Sequence, residues 1–554
     1  MPTTIRTGRR APAMQQGDEP AAASWWSATL ALAVCGQALF WAALPPLGLW
    51  PLAWLAPVPW LLLVRRDTLC GRRPYIVLWA SSFGFWLAAL YWLTLPHWAT
   101  SIGWLAVSVY LACYFPLFIA LARVAVQQLG LSVIVAAPVV WTALELVRAH
   151  ALGGFGMVLL AHTQYRWPLL LQISDLAGGY AVSFVIVLMG ACLARMGPVG
   201  DARRAWWPVL PLTACLVVVL GYGHARLSEP AARPGPKVAL IQGSIDIEMK
   251  HDPAQAHHIY DEYLGLSRRA VREHPDLELI VWPETMFPYP WCLFDAEFTP
   301  PADAEISAEQ MQERSHQAVA DTVATLGTAC LLGIGTFHGT ADETRHYNSA
   351  LFVARDGQVL GRYDKNHLVM FGEYVPLAET FPWLYRLTPL PGGLNRGQSS
   401  VAIEIGQTCY AANICFENTV PHLARSQILS LRSEHHEPDV LVTLTNDGWF
   451  WGSSELDLHL ACGVFRAIEC RKPCLIAANT GFSAWIDGDG QIRAQGPRRA
   501  PGVLVAEPML DSRRSWYLEY GDLWAGSCLV ATGIFATVGL RGRRWRKKRS
   551  RPAV

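Results

Sequence analysis

The sequence predicts a two-part protein: a polytopic α-helical membrane domain with about eight transmembrane helices, and an α/β domain outside the membrane. Of its 554 residues, 52% are hydrophobic and only 16% are charged, whereas a typical soluble domain carries about 25% charged residues. Within residues 25–223 the apolar residues are concentrated in runs of about 20, the length that crosses a bilayer. From residue 237 onward, charged helices alternate with short Val/Ile-rich strands, a pattern typical of layered α/β domains.

The membrane domain is expected to follow a polar cytoplasmic segment, residues 1–24, and to contain seven spans within residues 25–223. An eighth apolar run, residues 523–540, follows the α/β domain of residues 237–513. A basic cytoplasmic tail, residues 541–554, ends the chain. The seven predicted spans are about 25–44, 48–64, 75–95, 103–126, 131–148, 176–194 and 206–223.

The distribution of arginine predicts the orientation, because short cytoplasmic loops carry an excess of Lys and Arg. Both ends of the chain and the loop after the second span, with Arg65 and Arg66, are rich in arginine. The loops after the first and third spans contain neither Lys nor Arg. We therefore expect both termini inside and an even number of spans. Seven crossings then place the α/β domain on the outer face.

One apolar segment, residues 152–164, is Gly-rich and too short to span a bilayer. It is either a re-entrant or surface-lying stretch along a path for lipid, or an ordinary loop. The sequence leaves both readings open.

Composition and motifs exclude several function classes. The formal net charge of +1 gives no reason to expect a nucleic-acid partner. The 13 cysteines form no CxxC pair and no Cys/His cluster with metal-ligand spacing. A Walker A motif and a GxGxxG motif between a strand and a helix are both absent from the sequence. We therefore expect no metal and no cofactor.

Three reactive side chains in the α/β domain lie at the ends of predicted strands or hairpins. Glu284 follows the apolar run LIVWP, Cys415 follows ANI, and Lys365 lies in RYDKNHL. Each alone has a structural explanation: a charge at a helix start, an inert core thiol or a solvated lysine. Together they form a chemical set, because a thiol needs a base to become a nucleophile and a cation stabilises the oxyanion of a tetrahedral intermediate. The set therefore predicts acyl transfer through a thioester.

Five longer motifs carry a resemblance to a known family. WPET at 282–285, YDKNHLVMFGEYVP at 363–376 and ICFEN at 414–418 resemble the Glu-Lys-Cys motifs of the nitrilase or carbon–nitrogen hydrolase superfamily. Together with the apolar spans, LTNDGWF at 444–450 and ANTGFSAWID at 478–487 make the chain similar to the apolipoprotein N-acyltransferases. This resemblance implies a nitrilase-like αββα sandwich standing on a helical membrane platform.

The resemblance also implies roles for individual residues. Glu284 would be the general base and Cys415 the nucleophile. Lys365 and the backbone N–H of Phe416 would stabilise the tetrahedral intermediate, and Glu373 would orient Lys365. Three further residues match family positions that support the site, line it or lie at its mouth: Glu417, Asn446 and Trp449.

The reaction implied by the resemblance moves an acyl chain from a phospholipid, usually phosphatidylethanolamine, to an apolipoprotein. The acceptor is the α-amino group of an N-terminal diacylglyceryl-cysteine, and the mechanism is ping-pong through a Cys415 thioester. We expect a monomeric multi-pass protein of the cell inner membrane, with its catalytic domain on the periplasmic face. Three aromatic segments, residues 287–291, 381–390 and 449–451, are expected to form exposed loops that contact the bilayer.

Three other functions are weighed against this one. A membrane-tethered nitrilase-like amidase acting on a small C–N substrate would use the same three residues, but would not need eight spans. A lipid- or lipoprotein-binding scaffold with a decayed site would not retain all three. A transporter would not explain the outer domain.

Overall fold

In the computed structural model, the described residues are 27–197, 204–229, 232–300, 306–378, 380–387 and 392–549. The predicted cytoplasmic segment 1–24, the first two residues of the first predicted span and the last five of the predicted tail lie outside them. A helix occurs at each of the eight predicted spans. The helices before the α/β domain are α1 (Ser27–Ala43), α2 (Leu52–Leu55), α3 (Pro57–Arg65), α4 (Pro74–Ala89), α5 (Thr100–Ala112), α6 (Tyr114–Arg123), α7 (Val133–His150), α8 (Pro168–Leu171), α9 (Ser174–Ala177), α10 (Gly179–Met196) and α11 (Val209–Ser228).

The predicted count of eight transmembrane helices is not confirmed. Among the described residues, five helical segments are long and apolar enough to cross a membrane. The apolar helices at the first three predicted spans have 10–17 residues, fewer than the roughly 20 that cross a bilayer. The five long segments are Thr100–Gln128, Val133–Gly153, Gly179–Met196, Val209–Ser228 and Leu523–Gly542.

The α/β domain contains two six-stranded sheets. The first has the strand order β13-β2-β3-β4-β5-β6, and the second has the order β12-β11-β10-β9-β8-β7. A short pair, β1 with β14, joins the beginning and the end of the domain. The strands are β1 (Ala232–Pro234), β2 (Lys237–Gln242), β3 (Leu277–Phe294), β4 (Ala329–Gly339), β5 (Thr344–Val353), β6 (Val359–Asp364), β7 (Ala402–Ile405), β8 (Thr408–Ile414), β9 (Val440–Thr445), β10 (Cys474–Ala478), β11 (Ala484–Ile486), β12 (Ile492–Gln495), β13 (Gly502–Ala506) and β14 (Met509–Asp511).

The two sheets pack face to face between helices, so the layers are α, β, β and α. Buried aliphatic residues of both sheets, such as Val281 and Val442, form the middle core. Helices α13 and α14 cover the first sheet, and Ile259 and Val319 pack in its outer core. Each such buried aliphatic side chain stabilises the fold by about 1.5–3 kcal/mol. The remaining helices are α12 (Ile247–Lys250), α13 (Ala256–Glu273), α14 (Ala308–Leu326), α15 (Pro421–Ser433), α16 (Glu455–Cys470), α17 (Trp516–Tyr520) and α18 (Leu523–Arg549).

The second sheet faces the membrane helices through α15 and α16. One continuous core contains residues of α16 together with residues of the membrane helices, such as Phe465 with Leu171 and Val182. The α/β domain is therefore packed directly on the helical platform.

The prediction of an exposed aromatic loop at residues 287–291 is wrong. Strand β3 does not stop at Glu284 but continues to Phe294, and its second half pairs with β4 at Phe287 and Trp291. Both of these aromatic side chains are buried, within the core that Tyr260 also contacts. The hydrophobic run is interrupted by two prolines, yet the strand resumes after a bulge because its aromatic residues gain a buried face.

Candidate active site

Glu284 lies at a bulge in the middle of β3. The register between β3 and β4 shifts after Trp282, and Thr285 has a positive φ of 51°. Gly333 of β4 allows this bulge, because a Cβ at that position would lie 2.0 Å from the carbonyl oxygen of Pro283. The bulge turns the Glu284 carboxylate out of the ladder and into the domain interior, where it is 8% exposed.

Three donors fix the Glu284 carboxylate. The Nδ2 of Asn348 donates to Oε1 at 2.6 Å, and the backbone N–H of Asn446 donates to Oε2 at 2.9 Å. The Nζ of Lys365 lies 3.5 Å from Oε1. The carboxylate is therefore held in one orientation, with a cation at one oxygen.

Lys365 follows β6 directly, and its backbone N–H donates to the carbonyl of Asn348 on β5. Its ammonium is fully buried and donates to Glu373 Oε1 at 2.8 Å. Burial alone would lower the pKa of Lys365, but the carboxylates of Glu373 and Glu284 more than offset it, and the pKa is raised. The lysine is therefore a cation at neutral pH. The other oxygen of Glu373 accepts from the backbone of Val369 at 2.8 Å, which ties the loop after Lys365 to this cluster.

Cys415 follows β8 and begins a single 3₁₀ turn, Cys415–Thr419. Its φ is +54°, a left-handed conformation that is unfavourable for a residue with a Cβ and is found most often at functional turns. Burial raises the pKa of the thiol well above its ordinary value, and the negative charge of Glu284 raises it further. At neutral pH the residue is therefore a thiol rather than a thiolate.

A buried histidine holds the turn that carries Cys415. In His459 of α16, Nε2 lies 3.1 Å from the carbonyl oxygen of Cys415, and Nδ1 lies 3.1 Å from Oδ1 of Asp447. Both partners can only accept, so both ring nitrogens carry hydrogen and the ring is an imidazolium. Burial lowers the pKa of His459, but Asp447 more than offsets it and raises that pKa to about 9.

Asp447, Glu455 and His459 are a group that could geometrically hold a metal ion, since their donor atoms lie within 4.8 Å of one another. Both nitrogens of His459 are already hydrogen-bonded to protein acceptors. Burial raises the pKa of Glu455 well above its ordinary value, which favours its neutral form. With both ring nitrogens of His459 carrying hydrogen, the ring has no lone pair for a cation, so the three residues do not fit a metal ion.

Glu417 lies behind the site rather than in it. Its carboxylate accepts from the hydroxyl of Tyr363 and from three backbone N–H groups, at 2.7–2.9 Å. Two of those backbone groups follow Lys365 in the chain, and the third precedes Cys415. The carboxylate therefore joins the lysine loop to the cysteine turn. The backbone donors belong to Asn366, His367 and Ile414.

The other supporting residues predicted from the sequence lie around this centre. Asn446 contributes its backbone N–H to Glu284, while its side-chain Oδ1 accepts from Asn479 at 2.9 Å. The ring of Phe416 stacks on His367, with the centroids 5.7 Å apart. Trp449 is half-buried, and its ring lies 5.2 Å from the ring of His251.

Comparisons with known proteins cover both parts of the chain. Residues 37–192 match the apolipoprotein N-acyltransferase N-terminal domain, and residues 237–517 match the carbon–nitrogen hydrolase family. An apolipoprotein N-acyltransferase of Geobacter metallireducens is 33% identical over 521 residues, covering 92% of this chain and 95% of that protein. One of Rhodopirellula baltica is 30% identical over 542 residues, with 89% and 94% covered. The chain belongs to the apolipoprotein N-acyltransferase family.

Among solved structures, an amidase from Nesterenkonia sp. is 18% identical, with a TM-score of 0.36 over 54% of this chain and 98% of that one.

Reasoning from the sequence alone missed three residues near the candidate active site. Asn348 lies in β5 shortly before the apolar run of residues 350–353. This position could have indicated that its amide is buried. His459 lies on a helix that is buried on all sides, so no amphipathic pattern singles it out. Lys250 ends a four-residue helix, and its contact with Thr285 joins positions 35 residues apart.

The segment of residues 152–164 lies against the nucleophile turn. Gly156 approaches so closely that a Cβ there would lie 2.3 Å from the carbonyl oxygen of Thr419. Next to it, Nε2 of His367 donates to the carbonyl of Gly153 at 2.9 Å. The segment therefore connects the membrane helices to the loops of the site.

Apolar side chains surround this part of the family member. Phe450 packs against Trp92 of the membrane domain, with ring centroids 5.0 Å apart. In the predicted membrane-contact loop 381–390, residues 388–390 lie outside the described residues. The exposed apolar side chains on the loops around the site are Phe371, Leu377, Phe381, Trp383 and Trp451.

Proposed function

We propose that this membrane-associated acyltransferase moves a fatty acyl chain from a phospholipid to the N-terminal amine of apolipoproteins. The acceptor is the α-amino group of an S-diacylglyceryl-cysteine, and the acyl group passes through a thioester on Cys415. The observation that carries the proposal is the buried contact of Lys365 with Glu284 and Glu373 beside the Cys415 thiol, in a chain of this family.

In the first half-reaction, Glu284 is the general base. Because the resting Cys415 is a thiol, its proton must leave as the sulfur attacks the ester carbonyl of the phospholipid. Glu284 accepts that proton. Lys365 and the backbone N–H of Phe416 stabilise the resulting oxyanion. Collapse breaks the C–O bond, the departing glycerol oxygen takes the proton from Glu284, and a lysophospholipid leaves behind a thioester.

In the second half-reaction, the amine of the apolipoprotein attacks the thioester carbonyl. The same two donors bind the oxyanion, and Glu284 takes a proton from the attacking nitrogen. Collapse breaks the C–S bond, and Cys415 regains its proton from Glu284. The product is an amide, and the centre returns to its starting state.

Both substrates are lipids, and the apolar rim matches them. The exposed rim side chains Phe381 and Trp383 suit a bilayer surface, where aromatic residues are favoured. An apolar cover also limits the entry of water to the thioester, which favours transfer over hydrolysis.

The finer assignments also belong to this proposal. The acyl donor is phosphatidylethanolamine, and the enzyme acts as a monomer in the cell inner membrane. The termini are cytoplasmic, and the catalytic domain, residues 237–513, faces the periplasm. The membrane domain comprises residues 25–223 and a C-terminal helix, residues 523–540, with Asn446, Trp449 and Glu417 supporting the site.

Intact-mass spectrometry of the detergent-solubilised protein tests the proposal. After incubation with phosphatidylethanolamine, the wild type should gain the mass of one acyl chain, and a Cys415→Ala variant should not. A diacylated lipopeptide should discharge the adduct much faster than water does. Discharge by water at the same rate would instead favour the tethered amidase.

A further inference from the structure

A second lysine reaches the site, and the proposed mechanism leaves it without a role. Lys250 is the last residue of α12, and its Nζ contacts the Oγ1 of Thr285, the residue after Glu284. Among the charged groups around Lys250, Glu284 acts on it most strongly. Lys250 therefore lies next to the residue that follows the proposed general base.

The two lysines of the site differ in their partners. Lys365 lies 2.8 Å from Glu373 and 3.5 Å from Glu284, and both are carboxylates. Within the part of the chain that the structure describes, Lys250 forms no ion pair within 4.0 Å, and its hydrogen-bond partner is a neutral hydroxyl. Among the described residues, Lys250 thus has no carboxylate in direct contact with its ammonium.

An ammonium without a counter-ion is unfavourable away from water. Burial lowers the pKa of Lys250, and the charge of Glu284 offsets only part of this effect. An anion brought by a substrate would satisfy the ammonium, and hydrogen bonds between charged groups are about twice as strong as neutral ones.

The substrates differ in the charge they bring. The α-amino group of the acceptor becomes a cation when protonated, and Lys250 would repel it. Every glycerophospholipid carries an anionic phosphodiester, which the glycerol carbons separate from the acyl ester. A second cation, apart from the one at the oxyanion, can therefore bind the phosphate while the ester carbonyl lies at Cys415.

The wall beside Lys250 suits the glycerol part of such a donor. The next residue, His251, packs its ring against Trp449, with the centroids 5.2 Å apart. The rings of His251 and Trp449 would contact the glycerol carbons of the donor, while the ammonium of Lys250 contacts its phosphate.

We propose that Lys250 is the binding residue for the phosphodiester of the acyl donor, a subsite distinct from the oxyanion-binding role of Lys365. The proposal rests on the proposed phospholipid donor. It predicts that Lys250 selects donors by their phosphate and does not affect the chemistry at the ester.

Two donors with the same ester separate these roles. The full-length protein in detergent micelles is given dipalmitoyl phosphatidylethanolamine or dipalmitoylglycerol, which lacks the phosphate. Thioester formation is followed by intact mass under single-turnover conditions over a range of donor mole fractions. The rate constant and the half-saturating mole fraction do not depend on how much of the protein has folded.

Lys250→Met should raise the half-saturating mole fraction of the phospholipid by about tenfold or more, the size expected for losing one charge-assisted hydrogen bond. Its reaction with dipalmitoylglycerol should match that of the wild type. Lys250→Arg should retain most of the preference for the phospholipid. The control Lys237→Met removes a half-buried lysine at the start of β2 that pairs with Asp276 and Glu507, and it should change the reaction with neither donor.

Three results would overturn the assignment. An equal loss with both donors would place Lys250 at the reacting ester, and no loss with either donor would leave it without a role in binding. A loss with the phospholipid that Lys250→Arg does not restore would mean that charge is not what matters. If the wild type forms no thioester with either donor, the proposed function itself fails. That result is distinct from failure of the subsite alone, in which the wild type still reacts.

Discussion

Two buried charge clusters of this protein look alike in composition but differ in chemistry. In the first, Glu284, Lys365 and Glu373 surround the Cys415 thiol. In the second, between the membrane helices and the α/β domain, Asp175 accepts from Tyr222 at 2.7 Å, from Arg226 at 2.8 Å and from Arg471 at 2.6 Å. Arg471 is fully buried and also pairs with Asp489 at 3.1 Å.

The difference lies in what each cluster leaves available. In the Asp175 cluster, each charge contacts an opposite charge, and no nucleophile is present among the groups named. In the Glu284 cluster, one cation is shared by two carboxylates, and a thiol with a raised pKa sits on a turn with positive φ. Buried charge alone therefore does not mark a candidate active site in this molecule, whereas buried charge next to a thiol on a turn with positive φ does.

The largest expected effect is that of Cys415→Ala. Removing the sulfur should abolish the thioester and lower acyl transfer to a lipopeptide by more than roughly a thousandfold, since a nucleophile has no substitute in a covalent mechanism. The thermal unfolding midpoint should stay close to that of the wild type, because the thiol is neutral. Transfer within tenfold of the wild type would remove Cys415 from the mechanism.

Arg471→Met should show the opposite behaviour. It leaves Asp175 buried with only Arg226 as a cation, and breaking a buried ion pair costs about 3–5 kcal/mol of unfolding free energy. Thermal unfolding in detergent checks this, while the rate of thioester formation per active molecule should be unchanged.

An exposed ion pair provides the control for that variant. Arg345→Met removes the pair with Glu343, and exposed pairs contribute about 0–1 kcal/mol. If the two arginine variants lose equal stability, the Asp175 cluster has no special structural role.

His459 predicts a pH dependence of stability. Its pKa is about 9 in the folded protein and 6.5 as an ordinary histidine. The stabilisation from the imidazolium is fully present below pH 6.5 and is lost as the pH rises to about 9. It amounts to at most about 3 kcal/mol. The fall in unfolding midpoint between pH ~6 and pH ~9.5 should shrink in His459→Gln; an equal fall in both proteins would contradict the charge assignment.

The smallest effect is expected for Glu417→Gln. The amide has one acceptor oxygen, so the NH₂ group must face at least one backbone donor near Asn366 or Ile414, at a cost of about 1–3 kcal/mol. Because this carboxylate joins the lysine loop to the cysteine turn, thioester formation should slow as well. Glu437→Gln changes a half-exposed carboxylate and is the matched control. Slower thioester formation in the control alone would refute the role given to Glu417.

Much of the architecture could be predicted from local patterns. The end of an apolar run located Cys415, because β8 ends where its buried residues stop. Glu284 also follows an apolar run, but there the strand continues through a bulge. Asp-Gly is a typical hairpin dipeptide, and Asp356-Gly357 lies between the antiparallel strands β5 and β6, where Gly357 has a φ of +86°. The predictions of a nitrilase-like α/β domain and of the family are confirmed by the matching residues 37–192 and 237–517.

The tertiary structure decided what depends on contacts between distant residues. Asn348 and Asn446 hold Glu284 across 64 and 162 positions of the chain, and His459 reaches the carbonyl of Cys415 from a helix 44 residues away. Burial of Phe287 and Trp291 depends on pairing with β4, which no local pattern contains. The amino-acid sequence by itself therefore determined the layers of the α/β domain and supplied the candidate reacting groups. The hydrogen bonds that orient those groups arise only when the two sheets pack, because folding alone brings their donors and acceptors within reach.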